Sequence, residues 1–558
     1  MNNYLLRYAI LISGLSLMMV SCSDSGGSSE STDGDIDNRS GANIEDIDIE
    51  NHDDLPSAEV DASGKCVDKT LKDEPGVCGC RFEDIDIDGD GNTDCPRRMI
   101  PEKALPPLQE ISGDCGGWTY PKHHIIRYPK LPEYGYEVTI DTEKYHISKV
   151  YDVSKADETT NGLNQAIADY KAMGYQRIVI PPGHYPLTSQ GIVPGSDVAI
   201  IMSDDVTLQM IPVDRYDCGL ITITKSENVY IEGGTLIGER YEHPGPASQE
   251  ECGGMQIFHS GHVFVNGVTI KSVHGDGIMV LDYTPGDEAS IGSDVIIANC
   301  EISDAYRNGI AIIQMDGIRI TNNHIHHTNG TAPQFGIDFE PNSRTTRKIH
   351  RAIVDHNRFH DNVAGDLISY GQNTFIEYNH FDIGDLEKMI DNPFIHRASN
   401  GTYVFYRNKV AKHVNNSGCS NQLFCSYAIP SKDGKRVIPD ESMQKYPSFF
   451  VENEIPRTRV QLTYMNRFCI KNNIMHEGHL SFSGIRDARV FNNRAERFSE
   501  HPYTGDYSCQ NVYGGQAGGN MTCRHDESGQ EICTEHQQLN KLNTSPYDTP
   551  FTVNGQWY

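Results

Sequence analysis

Between residues 255 and 495 one short phrase returns about once every 22 to 34 residues: an Asn, any residue, then an aliphatic or aromatic residue. Its copies are Asn266-Gly-Val268, Asn323-His-Ile325, Asn357-Arg-Phe359, Asn379-His-Phe381, Asn408-Lys-Val410 and Asn472-Asn-Ile474, with Cys300-Glu-Ile302 filling the gap between the first two. A β-branched or aromatic run precedes each copy, such as VFV, DVIIA or TFIEY. A second phrase, a small residue then an aliphatic one, lies between copies: GDGIMV at 275–280, NGIAII at 308–313, FGIDF at 335–339 and GDLIS at 365–369. A repeat of this period requires stacked units that each bury one face against the next. Strands that bury alternate side chains, with an Asn at one turn bonding the next coil, make a parallel β-solenoid. A β-sandwich with Asn-rich turns is the competing reading, and it would not keep two phrases in strict alternation.

These repeats resemble the right-handed parallel β-helix, or pectate-lyase-like, superfamily over residues 155–500. The resemblance implies an all-β solenoid with an N-terminal capping helix. The segment 160–187 fits that opening. Leu163, Ala166, Ile167 and Tyr170 share one helical face, Gly174 suits the helix stop, and Ile178 to Ile180 begins the first strand. The superfamily includes hydrolases, lyases, epimerases and passive adhesins, so the resemblance speaks to fold before chemistry.

The ends carry other signals. Residues 1–22 resemble a bacterial lipoprotein signal: Arg7, an apolar run too short to span a bilayer, then Met19-Val20-Ser21 before Cys22. That resemblance implies lipidation at Cys22 and, with Ser23 following, the outer membrane of a Gram-negative cell. Residues 23–64 hold thirteen Asp or Glu against one Arg. Such a stretch cannot bury enough surface to fold and reads as an extended tether. It supplies −12 of the net charge of −30, so the charge says little about the substrate. The acidic balance does argue against nucleic acid as a partner.

Residues 65–98 form a Cys-rich module with Cys66, Cys78, Cys80 and Cys95. Inside it Asp86, Asp88, Asp90, Gly91 and Asp94 give D-x-D-x-D-G-x-x-D, alternate oxygen donors with a turn Gly, which suits calcium. The module resembles a thrombospondin type 3 repeat, and calcium is expected there as a structural ion. No catalytic cofactor is expected. Residues 99–154 read as a connecting segment and 501–558 as a Cys-containing tail. With Cys22 set aside, fourteen cysteines remain, and an export signal makes them disulfide formers. Cys419 with Cys425 is one candidate pair, and of Cys509, Cys523 and Cys533 one needs a partner elsewhere. Cys300 reads equally as a buried thiol or as half of a bridge.

Aligning the second phrase on Ile278, Ile310, Ile337 and Leu367 as inward residues sends Met279, Ala311, Asp338 and Ile368 outward in one column. Leu281, Ile313, Glu340 and Tyr370 form the next. Only FGIDFEPN places two carboxylates outward, Asp338 and Glu340. At i and i+2 of a strand they stand about 6.5 to 7 Å apart at Cα. Two carboxyls so placed can straddle a glycosidic bond, one as acid and one as base or nucleophile. Asp366 is a further candidate carboxylate. His274, Asp276, Arg307, Asn308 and Tyr370 would line the groove, and Arg240 and His243 lie in the loop 233–254 that would form its rim. A second rim candidate is the insertion 411–450.

FGIDFEP also resembles the YGFDPHE signature of mannuronan C-5 epimerases, with the Asp on Asp338. Phe335 stands where that signature has Tyr, and Glu340 where it has His, which favours a paired-carboxylate hydrolase. A lyase would need a base and a cation for the uronate carboxylate. Lys271, His274, Arg307, His324, His326 and His327 are the candidates. His326 with His327 shows no third metal ligand, and these histidines fall on a face away from the groove. Three classes therefore stay open: a polysaccharide hydrolase, a uronate lyase or epimerase, and a non-catalytic glycan-binding surface protein. The chain is read as a monomer.

Overall fold

The computed structural model describes scattered residues of 63–80, then 81–101, 105–246, 251–281, 293–340, 349–369, 371–382, 394–396, 402–410, 447–455, 459–498, 513–526, 528 and 530–535. Helix Ala156–Met173 buries Leu163, Ala166, Ile167 and Tyr170 and stops at Gly174, whose φ of 109° needs no Cβ. Strand Arg177–Ile180 follows. From there parallel strands stack coil on coil around a continuous apolar interior.

Three strips run along the coil axis. One includes Gly261–Asn266, Ser293–Ala298, Ile349–Asp355 and Gln372–Glu377. A second has, among the described residues, nine short strands, including Thr269–Lys271, Glu301–Ser303, His324–His326 and Arg358–His360. The third includes Glu251–Phe258, Ile278–Leu281, Phe335–Phe339 and Gly365–Ser369. The long strand Ile310–Thr321 pairs with the third strip at its start and the first at its end, so the two are continuous. The architecture is the right-handed parallel β-helix expected.

The Asn phrase is the turn after the first strip, and its members bond in series. Asn357 Nδ2 donates to Ile320 O at 2.8 Å and to Asn379 Oδ1 at 3.0 Å, and Asn357 N donates to the same Oδ1. The series runs through Asn323, Asn357, Asn379, Asn408, Asn453, Asn473, Asn493 and Asn520. Two expected copies were out of register. Asn266 ends its strand opposite Ala298, and Val268 holds the ladder position. Asn473, not Asn472, is the ladder member. Each ladder residue follows one in left-handed conformation, such as Asn322 at φ 52°, His356 at 56° and Asn472 at 57°. Satisfying the turn's buried amides offsets that local strain.

Cys300 takes one ladder place as a buried free thiol, its pKa pushed up to about 12 by burial. The described bridges are Cys66–Cys80, Cys78–Cys95, Cys115–Cys469, Cys218–Cys252 and Cys523–Cys533. Cys419, Cys425 and Cys509 lie outside the described residues, as do Cys22 and most of the tether.

The expected boundaries were too narrow at both ends. Strand Tyr134–Thr139 pairs in parallel with Arg177–Ile180, and Tyr513–Gly518 continues the stack beyond residue 500. The segment 99–131 is more than a connector. It packs Met99, Leu105, Ile126 and Leu131 on Tyr230, Phe264 and Ile296, and Cys115 and Tyr120 on Phe375, Val404 and Phe449. Arg319 donates to Pro106 O at 2.7 Å and Arg351 to Ile125 O at 3.0 Å, while Cys115–Cys469 fixes its middle. This strap covers the outside of the first strip.

Candidate functional site

The third strip carries the candidate carboxylates. Ile337 and Phe339 are fully buried in the interior, so Asp338 between them points outward. It is nevertheless only 3 % exposed, which corrects the expectation that both carboxylates face solvent. Glu340 follows the strand, its N–H donating to Ile312 O at 2.8 Å, and its side chain is 38 % exposed. The second outward column is also corrected. A bulge after Val280 pairs Leu281 with Gln314 rather than Ile313. Tyr370 lies outside the described residues.

Arg307 organises the mouths of three successive coils. Its Nη1 donates to Asp276 Oδ2 at 3.0 Å and its Nη2 to Glu340 Oε2 at 3.2 Å. Asn308 N donates to Asp276 Oδ1 at 2.9 Å, and Phe335 N donates to Asn308 Oδ1 at 3.0 Å. Arg307 is almost entirely buried and Asp276 wholly so. The five residues Asp276, Arg307, Asn308, Asp338 and Glu340 thus belong to one strip, as the column alignment expected. The guanidinium between two carboxylates was not expected, because charge partners 31 and 33 residues apart leave no local pattern.

Asp366 does not join them. It stands in the column of Gly277, Gly309 and Gly336, where an added Cβ would meet Ile302 Cγ2, Ile325 Cγ2 and Phe359 Cδ1 of the interior. Its side chain turns inward, and Oδ1 accepts from Asn362 Nδ2 at 2.9 Å. Complete burial, with Asp382 and Asp361 nearby, holds its carboxyl well above the usual carboxylate range. It is a buried core residue whose surroundings favour the protonated carboxyl, not a groove residue.

Arg240, His243 and His274 form a second group against the first. His243 stacks on His274 with ring centres 3.8 Å apart, and His274 on Tyr306 at 4.4 Å. Tyr306 adjoins Arg307 in sequence, and His274 lies two residues before Asp276, so the stack borders the ion-paired mouth. His243 Nδ1 lies 2.8 Å from Oε1 of buried Glu239, whose pKa burial raises. Arg240 Nη1 donates to Asp304 Oδ1 at 2.7 Å and its Nη2 bonds Asn329 Oδ1, while Tyr241, 75 % exposed, donates to the same Asp304 oxygen at 2.8 Å. Sequence reasoning missed Glu239, Tyr241, Asp304 and Tyr306. The loop 233–254 was the available signal for the first two. Burial, then His243, pushes His274 down to about 4. It is a neutral ring at neutral pH and offers no charge to a uronate.

In the Cys-rich module Asp86, Asp88 and Asp90 bring carboxylate oxygens within 4.8 Å of one another. Asp86 also accepts from Gly89 N at 2.7 Å and Gly91 N at 3.0 Å, closing the loop on itself. Asp94 stands apart from the three, and its Oδ2 accepts from Ile87 N at 2.7 Å.

The family described as "Right handed beta helix region" matches residues 220–345 and 253–422. The matched residues, under half of the chain, lie within the parallel β-helix that the strands build. The uncharacterised protein YclG of Bacillus subtilis strain 168 is 28 % identical over 251 residues, 40 % of this chain and 43 % of the relative. The chain therefore spans less than half the length of that curated relative. Among solved structures, the A-module of mannuronan C-5 epimerase AlgE6 from Azotobacter vinelandii is 11 % identical, covering 68 % of this chain and 98 % of its own, at a TM-score of 0.42. The family 28 exopolygalacturonase of Yersinia enterocolitica is also 11 % identical, covering 63 % and 78 %, at 0.38. At this distance the likeness of these two β-helix proteins does not bear on chemistry.

Proposed function

We propose that this β-helix protein cleaves glycosidic bonds in a polysaccharide, with Asp338 and Glu340 as the reacting carboxylates. The carrying observation is the Asp276–Arg307–Glu340 linkage, which fixes a part-exposed carboxylate two residues from a desolvated one on an outward face. Asp338, out of water, suits protonation of the leaving oxygen. Glu340, oriented by Arg307 and open to solvent, suits activation of water or attack on the sugar. The exposed ring of Tyr241 offers a surface on which a sugar can stack. Lyase or epimerase chemistry fits less well, since Arg307 is engaged by two carboxylates and His274 is neutral. The strap on the first strip leaves the third strip and its rim as the better place for a long polymer.

The test is incubation of the whole protein with a polysaccharide panel while reducing ends and unsaturated-uronate absorbance are followed. New reducing ends without unsaturated uronate are expected. Both signals together would make it a lyase, changed uronate stereochemistry with neither would make it an epimerase, and retention without product a binding protein.

Two further readings accompany this one. Lipid attachment at Cys22 would hold the protein at the outer membrane on its acidic tether, and Cys22→Ser should release it or block processing. Calcium would be held by Asp86, Asp88 and Asp90, with Asp94 bracing the loop. Calorimetry of the full chain should find that site, and Asp88→Ala should abolish it without altering turnover.

A further inference from the structure

We propose that His324, His326 and His360, on the outer face of the nine-stranded strip, bind a divalent transition-metal ion of the zinc class. Ile325 is fully buried, so His324 and His326 on either side of it both point outward. Strand pairing sets His360 of the next coil directly beside His326. A ring nitrogen from each of the three lies within 4.8 Å of the other two, and the Nε2 atoms of His324 and His360 are 2.8 Å apart. As metal ligands the sequence suggested only the neighbours His326 and His327. The cluster instead joins His324 and His326 of one strand to His360 of the next coil.

The surroundings suit a metal. Asp361 Oδ2 lies 2.7 Å from His360 Nδ1, so that nitrogen donates and Nε2 keeps its lone pair toward His324. A carboxylate behind a ligating imidazole is the usual second support of such sites. In the described geometry the His324 and His360 nitrogens share one proton. A metal would take its place as the His324 proton moves to Nδ1. A tetrahedral ion with bonds of about 2.0–2.1 Å needs ligand nitrogens roughly 3.3 Å apart, reached by small ring rotations. Three imidazoles select zinc, nickel or copper over calcium or magnesium, which require oxygen ligands. Glu301, whose Oε1 is 3.5 Å from His326 Nε2, or a water would complete four-coordination. The site is separate from the carboxylates of the third strip and would join two coils.

The full chain, stripped with a chelator and returned to saturating calcium, is titrated with zinc by calorimetry. One equivalent should bind, and X-ray absorption at the zinc edge should show three imidazole nitrogens at about 2.0–2.1 Å. His324→Gln and His360→Gln should each weaken binding on the order of a hundredfold, and Asp361→Asn by roughly tenfold. No bound zinc, unchanged affinity in His360→Gln, or a spectrum with fewer than three imidazoles would overturn the proposal. The native spectrum decides the matter even where a variant fails to fold.

Discussion

Two rows of buried polar side chains run along this solenoid, and they differ in kind. The Asn ladder repeats itself: each member uses the same donors and acceptors as the next, from Asn323 to Asn520. The mouth of the third strip does not repeat. Asp276, Asn308 and Phe335 occupy one column, and Arg307 ties two different coils to itself. A row that repeats is explained by stacking alone. A row that breaks the repeat with charge, at some cost in desolvation, needs another reason to exist.

Breaking the ladder should have the largest effect on stability. Asn379→Ala would leave Val354 O and the Asn357 amide groups short of partners, at about 3 kcal/mol or more. Chemical denaturation measures the loss, and turnover per folded molecule should be unchanged. At the mouth the outcome should reverse. Asp338→Asn and Glu340→Gln should keep the fold, and each should cut turnover on the order of a hundredfold, equivalent to about 2.7 kcal/mol of barrier. Near-native turnover in both would make that row structural too, with His274 and Arg307 next to be tested.

Asp366 sharpens the comparison, being a charge-bearing type placed in the interior. Its raised folded pKa gives a contribution fully present below about 3.8 and lost as pH rises through the folded value. Asn mimics the protonated form, so Asp366→Asn should raise the melting temperature by an amount that grows with pH, with little change in turnover. His274 and His324 act in the opposite sense. Their depressed pKa values, about 4 against 6.5, give stability present above pH 6.5 and lost as pH falls toward 4. Thermal melts across that window should show the decline, and it should shrink in His324→Gln. The smallest effect belongs to Asn266→Ala. Asn266 lies off the ladder and its side chain bonds the Tyr230 and Asn299 side chains, so the cost should be about 1 kcal/mol.

The fold was legible because a solenoid writes its packing into a period. Asn357, Asn379 and Asn408 sit where the phrase placed them, and the inward set Ile278, Ile310, Ile337 and Leu367 pairs in register. The errors came where a slip of one or two residues leaves the pattern intact. Asn266 and Asn472 both satisfy the phrase, and only hydrogen bonding tells them from Val268 and Asn473.

The candidate site was half legible. Alternation placed Asp338 outward and Glu340 near it, and period 2 is enough for that. It could not tell that Asp338 is removed from water, that Asp366 turns inward, or that Arg307 spans two coils. Those depend on what covers a face and which coil lies next.

The sequence by itself determined the solenoid, its capping helix and the column that carries the paired carboxylates, because period and alternation are local properties of the chain. The tertiary structure alone decided which charges meet, which strip the 99–131 strap covers and which histidines cluster, because those neighbours are set by coil stacking, some 20 to 45 residues away along the ladder and farther still for the strap.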